Sequence, residues 1–174
     1  MLRITNRDLG IPPLREIVSC SGSNVEGIGK IVDYYTRPVD ERATSYIKDT
    51  PHILRMFHNL NIEGPQSDDV WLFVMDVINM YPSIPTSRGP EVLKQALSKA
   101  GLGPALVDWL VWATRASLTC NTFEYDNQLY TQREGAAIGG PASCSYSGVF
   151  LEHAEAKGLK KFSELVESSE EGGR

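Results

Sequence analysis

Residues 72–85 read L-F-V-M-D-V-I-N-M-Y-P-S-I-P, an apolar run that stops at a single carboxylate, Asp76, with an aromatic residue, Tyr81, five positions further on. Residues 70–75 are apolar without a break, which is the pattern of a strand covered on both faces. A carboxylate ending such a strand is costly to desolvate, so Asp76 must lie at a mouth, cap a backbone amide or hold a cation. Taken alone, an aspartate after a strand most often ties down a turn. Its neighbourhood shifts the balance toward a metal ligand, because Tyr81, Pro82 and Pro85 impose a rigid turn directly behind it. The Tyr81 ring packs on the sheet, meets a ligand, or does both.

Upstream, residues 11–23 read I-P-P-L-R-E-I-V-S-C-S-G-S and predict a stiff Pro-Pro segment, a short β-prone stretch and a Ser/Gly turn. Ile28, Ile31, Val32 and Tyr35 fall at helical spacing and predict a helix over residues 25–35, with Pro38 soon stopping its continuation. Thr50 as N-cap and Pro51 at the first helical position predict a second helix reaching about Leu60, with Ile53, Leu54 and Phe57 on its buried face. The polar residues 63–69 predict a loop. Downstream, Gly89-Pro90-Glu91 opens a helix with Val92, Leu93, Ala96 and Leu97 inward, closed by Gly101. Pro104 starts another, with Leu106, Leu110 and Ala113 on one stripe and Trp109 beside it. N-T-F-E-Y then faces Q-L-Y-T-Q across Asp126-Asn127, a link of residue types that tolerate positive φ, so a β-hairpin is predicted. The glycine-rich E-G-A-A-I-G-G-P follows, and Gly140-Pro141 begins a long helix with Tyr146, Val149, Phe150 and His153 at i, i+3, i+4 and i+7. Beyond about Lys161 the ending is acidic, short of apolar residues and expected to fray.

Composition sets limits. The 174 residues suit one domain, and 41% hydrophobic content supports a true core. Three cysteines, Cys20, Cys120 and Cys144, form no C-x-x-C pair and leave an odd thiol, which points to a reducing compartment and away from a zinc site or disulfide framework. The start carries charge where a signal peptide needs an apolar stretch, and no segment approaches membrane-spanning length; an intracellular protein, nuclear or cytoplasmic, with no membrane partner is expected. A net charge of −5 has the wrong sign for gripping phosphates by bulk electrostatics, so nucleic-acid binding would need a local groove.

Two further groups of residues invite a functional reading beside a plain one. Over residues 132–143, glycines 135, 139 and 140 allow close backbone approach or positive φ ahead of a helix N-terminus, which suits a template strand or a phosphate; the plain reading is a tight hairpin-to-helix connection. Arg15, on its Pro-Pro segment, has the planar fork to hold a triphosphate, or is a solvated surface arginine. His52 and His58 lie on opposite sides of a helix and His153 is distant in sequence, so none takes a catalytic role. Lys48 with Asp49 reads as a local ion pair and helix lead-in.

In this order the segments resemble the fingers and palm of a reverse transcriptase, most closely those of Penelope-like retroelements. P-L-R-E-I-V-S-C-S-G-S is similar to that family's fingers motif, R-P-V-D-E-R-A-T-S-Y-I-K-D-T to its next block, V-M-D-V-I-N-M-Y-P-S-I-P to the first palm motif, and Q-R-E-G-A-A-I-G-G-P-A-S to its glycine-rich motif. The resemblance covers roughly residues 11–155. It implies an α+β fold, a partial fingers–palm polymerase domain with helices packed on a small antiparallel sheet. Residues 1–62 would be fingers-like, 63–158 a partial palm, and 159–174 a disordered acidic tail. Asp76 and the backbone carbonyl of Val77 would bind catalytic magnesium (Mg2+). Tyr81 would be the steric gate against a ribose 2′-hydroxyl, and Arg15 and Gln132 would contact the nucleotide. Gly135, Gly139, Gly140 and Pro141 would form the floor under template and primer. The implied partners are an RNA template, a DNA primer and a dNTP. Two departures stand out: Glu16 where the family usually has Pro, and Ile138-Gly139-Gly140 in place of Met-Gly-Thr or Met-Gly-Ser.

Two-metal phosphoryl transfer needs several carboxylates to hold two cations about 4 Å apart. The resemblance implies that the others come from a Y-x-D-D hairpin after the glycine-rich helix, and no Y-x-D-D occurs in this sequence. The expectation is therefore a truncated product or fragment with half an active site, inactive alone, lacking upstream fingers and thumb, and prone to self-association through exposed palm surface. D-V-I-N-M-Y-P-S-I-P also looks like a family B DNA polymerase block, but the K-x-x-x-N-S-x-Y-G helix of that family is absent. A non-catalytic relic that binds nucleic acid or protein is the alternative from another class.

Overall fold

The computed structural model describes residues 20–60, 74, 76–125 and 127–171, without the side chains of Tyr125 and residues 165–171. The elements are α1 (Glu26–Asp40), α2 (Thr50–Asn59), a single turn α3 (Met80–Ser83), α4 (Gly89–Lys99), α5 (Pro104–Thr119), β1 (Thr122–Tyr125), β2 (Gln128–Thr131) and α6 (Ser143–Glu171). This is an α+β arrangement, mostly helix, with one described two-stranded antiparallel sheet.

The core forms where four amphipathic helices meet. Val32 of α1, Leu93 and Leu97 of α4, Val107 and Leu110 of α5, and Tyr146 and Val149 of α6 are buried in a single cluster, and Ile84 reaches it from the turn after α3. α1 packs on α5 and α6, and α4 packs on the same two. The first helix, from the segment read as fingers-like, thus shares its core with the palm-like segment. The entry of α4 is tight: a Cβ on Gly89 would overlap the Tyr146 hydroxyl and come within 2.9 Å of Ile84. Thr114 sits in the interior of α5 because its hydroxyl donates to the Leu110 carbonyl at 2.8 Å. Gly101 closes α4 with φ +87°, as its position in the sequence predicts.

The hairpin has the predicted register, Thr122 opposite Thr131 and Tyr125 opposite Gln128, turned by Asn127 at φ 57°. Phe123 and Tyr130, directly opposite one another, stack with ring centroids 5.7 Å apart.

Several expectations differ from the structure. Pro38 does not stop α1, which continues to Asp40; it stands exposed in the last turn, where its missing N–H removes a single backbone hydrogen bond, and Glu41 N–H still reaches the Arg37 carbonyl at 2.9 Å. The N-cap of α2 is Asp49 rather than Thr50: its side chain accepts from the His52 amide at 2.8 Å, and it forms no ion pair with Lys48. The apolar face predicted for α2 is not buried. Leu54 is 61% exposed and Phe57 and Leu60 are exposed with it, since α2 packs on no other described helix or strand. Most of the predicted 70–75 strand and the 63–69 loop lie outside the described residues; Val74, which is described, is not covered on both faces but 88% exposed. The long helix starts at Ser143 rather than Gly140, and it runs to Glu171 where fraying was expected. Its C-terminal half is rich in Lys, Leu and Glu, which favour helix, and Lys160 and Glu164 are paired one turn apart at 3.9 Å.

Leu110→Ala is expected to cost about 2–5 kcal/mol through loss of buried area and a residual cavity. Leu54→Ala, on the unpartnered helix, should stay within about 0.5 kcal/mol. Urea denaturation of the two variants checks this contrast.

Candidate functional site

The turn after Asp76 holds both prolines, Pro82 inside α3 and Pro85 just beyond it. Asn79 adopts the left-handed conformation at φ 52°, a backbone state that asparagine tolerates, and the chain coils into α3 with Ser83 N–H bonded to the Asn79 carbonyl at 3.1 Å. Ile84, fully buried, pins the end of this turn to the core. Tyr81 lies in its middle, half-buried, and its carbonyl accepts the Ile84 amide at 3.4 Å.

That carbonyl receives the glycine-rich turn. The Ala136 amide donates to the Tyr81 oxygen at 2.9 Å. Gly135, at φ +79°, makes the approach possible: a Cβ there would overlap Cα of Pro82 and lie 2.6 Å from the Tyr81 oxygen. A second tie runs from Thr86, whose hydroxyl donates to Glu134 Oε2 at 3.0 Å. The two segments singled out in the sequence as separate features are thus one physical unit.

Gln132 braces the unit from inside. Its Nε2 donates to the Glu134 carbonyl at 2.8 Å and to the Ala136 carbonyl at 3.3 Å, while its Oε1 accepts from Asn121 Nδ2 at 2.9 Å. Both ends of the amide are therefore engaged in shaping the turn. Beyond it, Ser143 Oγ donates to the Ala137 carbonyl at 2.6 Å and fixes the start of α6, where Gly140 leaves room for that hydroxyl. The Pro141 ring rests 3.3 Å from the Cβ position of Gly29 on α1. Gly139, at φ 103°, is exposed at the tip.

The Tyr81 phenol lies 3.4 Å from Cys144 Sγ in the first turn of α6. This hydrogen bond, with burial added, pushes the phenol up to about 12, so it stays neutral across the physiological range. Behind the turn lies a cavity of about 40 Å³ between Val32, Thr114, Leu118 and Ala137. A volume of that order admits a few waters and no nucleotide, so a nucleotide would have to lie on the outer side of the turn.

Asp76 and Val77 are both exposed. Among the described residues the Asp76 carboxylate makes no hydrogen bond or ion pair, so it caps no amide of the described turn; it is solvated just upstream of the Tyr81 unit. Among the described residues, too, no group of three or more His, Cys, Asp or Glu could hold a metal ion. One carboxylate does not by itself fit a two-magnesium site. Arg15, with Glu16, lies outside the described residues. No described helix is long and apolar enough to cross a membrane.

Sequence reading missed Asn121, Thr86 with Glu134, and Cys144. Asn121 was legible in principle: continuing the hairpin register by one pair sets it opposite Gln132, and two amides facing across a ladder bond to each other. The Thr86–Glu134 and Tyr81–Cys144 contacts join segments distant in sequence and carry no local signal.

No family model, curated protein or solved structure matches this chain.

Gly135→Ala should disrupt the unit, because the added methyl combines positive-φ strain with overlap on Pro82. A loss of roughly 1–3 kcal/mol is expected, together with faster hydrogen exchange at the Ala136 amide, measured by NMR.

Proposed function

We propose that this chain is a fingers–palm segment of a reverse transcriptase like those of Penelope-like retroelements, built for RNA-templated DNA synthesis. The observation that supports this reading is the Ala136 N–H to Tyr81 carbonyl bond at 2.9 Å, by which a tyrosine-bearing turn and a glycine-rich turn become neighbours. A sugar gate and a floor under the nascent base pair must adjoin, because one nucleotide touches both.

In this reading Tyr81 stands where the ring of an incoming sugar would lie, and its neutral phenol fills the space of a 2′-hydroxyl without adding charge. Gly135, Gly139, Gly140 and Pro141 form the floor: Gly139, exposed at its tip, lets template and primer approach the backbone, while Gly135 and Gly140 leave their room to Pro82 and Ser143. Gln132 acts chiefly by holding that floor, since its amide is already engaged. Arg15 contacts the triphosphate. Asp76, solvated and close in sequence to the gate, offers one carboxylate to magnesium alongside the Val77 carbonyl. One carboxylate is too few for two-metal transfer, and the 174 residues contain no Y-x-D-D. The chain by itself is therefore expected to bind template and primer without extending them.

A second reading, a non-catalytic protein-binding domain, is favoured by the exposed apolar residues Leu54, Phe57, Leu60, Val74 and Ile78, which also suit self-association.

Primer extension on an RNA template with Mg2+ should give no product from this chain. Filter binding of the same primer–template should show affinity that falls steeply with salt, as a local phosphate groove requires. Robust product abolished by Asp76→Ala would show the carboxylate set to be complete, and absence of binding at low salt would overturn the nucleic-acid reading in favour of the second.

A further inference from the structure

We infer that the seam between α1 and α6 is a proton-operated latch: mutual repulsion among carboxylates loosens α6 on α1 at neutral pH, and protonation of Asp40 closes it. The inference goes beyond the polymerase reading and does not depend on it.

Asp40 ends α1 with its carboxylate pressed against Gly148 of α6, so closely that a Cβ on Gly148 would overlap both the carboxyl carbon and Oδ1. Acidic groups surround it. Asp33 acts from α1, Glu41 from the position just after it and Glu152 from α6, while Glu155 of α6 and Tyr46 of the loop after α1 share with Asp40 the lining of a cavity of about 220 Å³. Among the described residues Arg37 is the cation acting on Asp40, and it is already paired with Asp33 on its own helix. Glu155 is held in place by Ser45 Oγ, which donates to it at 2.6 Å. An ionised Asp40 at this point is partly desolvated and lacks a cation of its own.

Burial first, and then Glu41, Glu152 and Asp33, push Asp40 up from 3.8 to about 6. The folded chain therefore takes up this proton more readily than the unfolded one. The stability it contributes is complete below about pH 4 and is lost as pH rises through about 6. Asp40 is only half-buried, so screening tempers the effect.

The latch has somewhere to transmit its motion. In the first turn of α6, Ser145 Oγ donates to Asp33 Oδ1 at 2.7 Å, Ser143 holds the Ala137 carbonyl, and Cys144 touches Tyr81. Loosening α6 loosens the glycine-rich turn from its helix end.

NMR of the full chain tests this. The Asp40 carboxyl carbon should titrate with a midpoint of about 6, and the Gly148 and Val149 amides, corrected for intrinsic rates, should exchange more slowly at about pH 5 than at about pH 7.5. Asp40→Asn should give slow exchange at both pH values, and Glu152→Gln, which leaves Asp40 in place, should move the midpoint down. An Asp40 midpoint near 3.8, or the same pH dependence of exchange in Asp40→Asn as in the unsubstituted chain, would overturn the latch.

Discussion

The candidate site hangs on one backbone hydrogen bond, from the Ala136 amide to the Tyr81 carbonyl, and on the missing side chain at Gly135 that lets it form. Each partner is braced before the bond is made. Tyr81 belongs to a turn locked by proline and anchored by Ile84 in the core, and Ala136 belongs to a turn whose carbonyls are held by Gln132 and Ser143. A hydrogen bond between two preordered segments costs little further entropy, whereas one between loose loops must offset the ordering of both. The core and the site are coupled in this way: α4 starts just beyond Ile84, α6 starts just beyond the glycine-rich turn, and both meet at Gly89 and Tyr146.

Local physics made much of this legible in the sequence. Proline with glycine announced the starts of α4 and α5, periodicity gave their inward faces, and Asp126-Asn127 gave the hairpin and its register. Glycine at 135, 139 and 140 allowed close approach or positive φ, and Gly135 and Gly139 adopt the latter. What stayed hidden was long-range. Nothing near Ile53, Leu54 and Phe57 distinguishes an amphipathic helix that is covered from one that is not, because the covering surface lies elsewhere in the chain or in another molecule. The same holds for Thr86 with Glu134, and for Tyr81 with Cys144. Pro38 and the acidic ending erred in another way: helix breakers and charge runs were given more weight than one exposed last turn, or one set of good helix formers, warrants.

Two surfaces of opposite character accompany the site. One is made of exposed apolar groups, Val74, Val77 and Ile78 next to Asp76 in the chain, with the uncovered face of α2 before them in sequence. The other is the acidic seam of Asp40, Glu152 and Glu155. An apolar surface of this kind lowers its free energy by meeting more protein, whereas an acidic one repels nucleic acid. With a net charge of −5, contact with a phosphate backbone would need a local groove clear of that seam.

Tyr81 and Asp40 differ in titration behaviour. Tyr81, with its phenol bonded to Cys144 and pushed up to about 12, keeps one charge state across the physiological range, so the polarity it presents is fixed there. Asp40, lifted to about 6 by burial and its acidic neighbours, changes state within the range where cells work. A response of Asp40 to acidity would reach the site through the helix that carries Gly148 and Cys144 rather than through the ring itself. Position and chemistry are assigned to different residues, and among the described elements α6 is the one that packs on both α1 and α3.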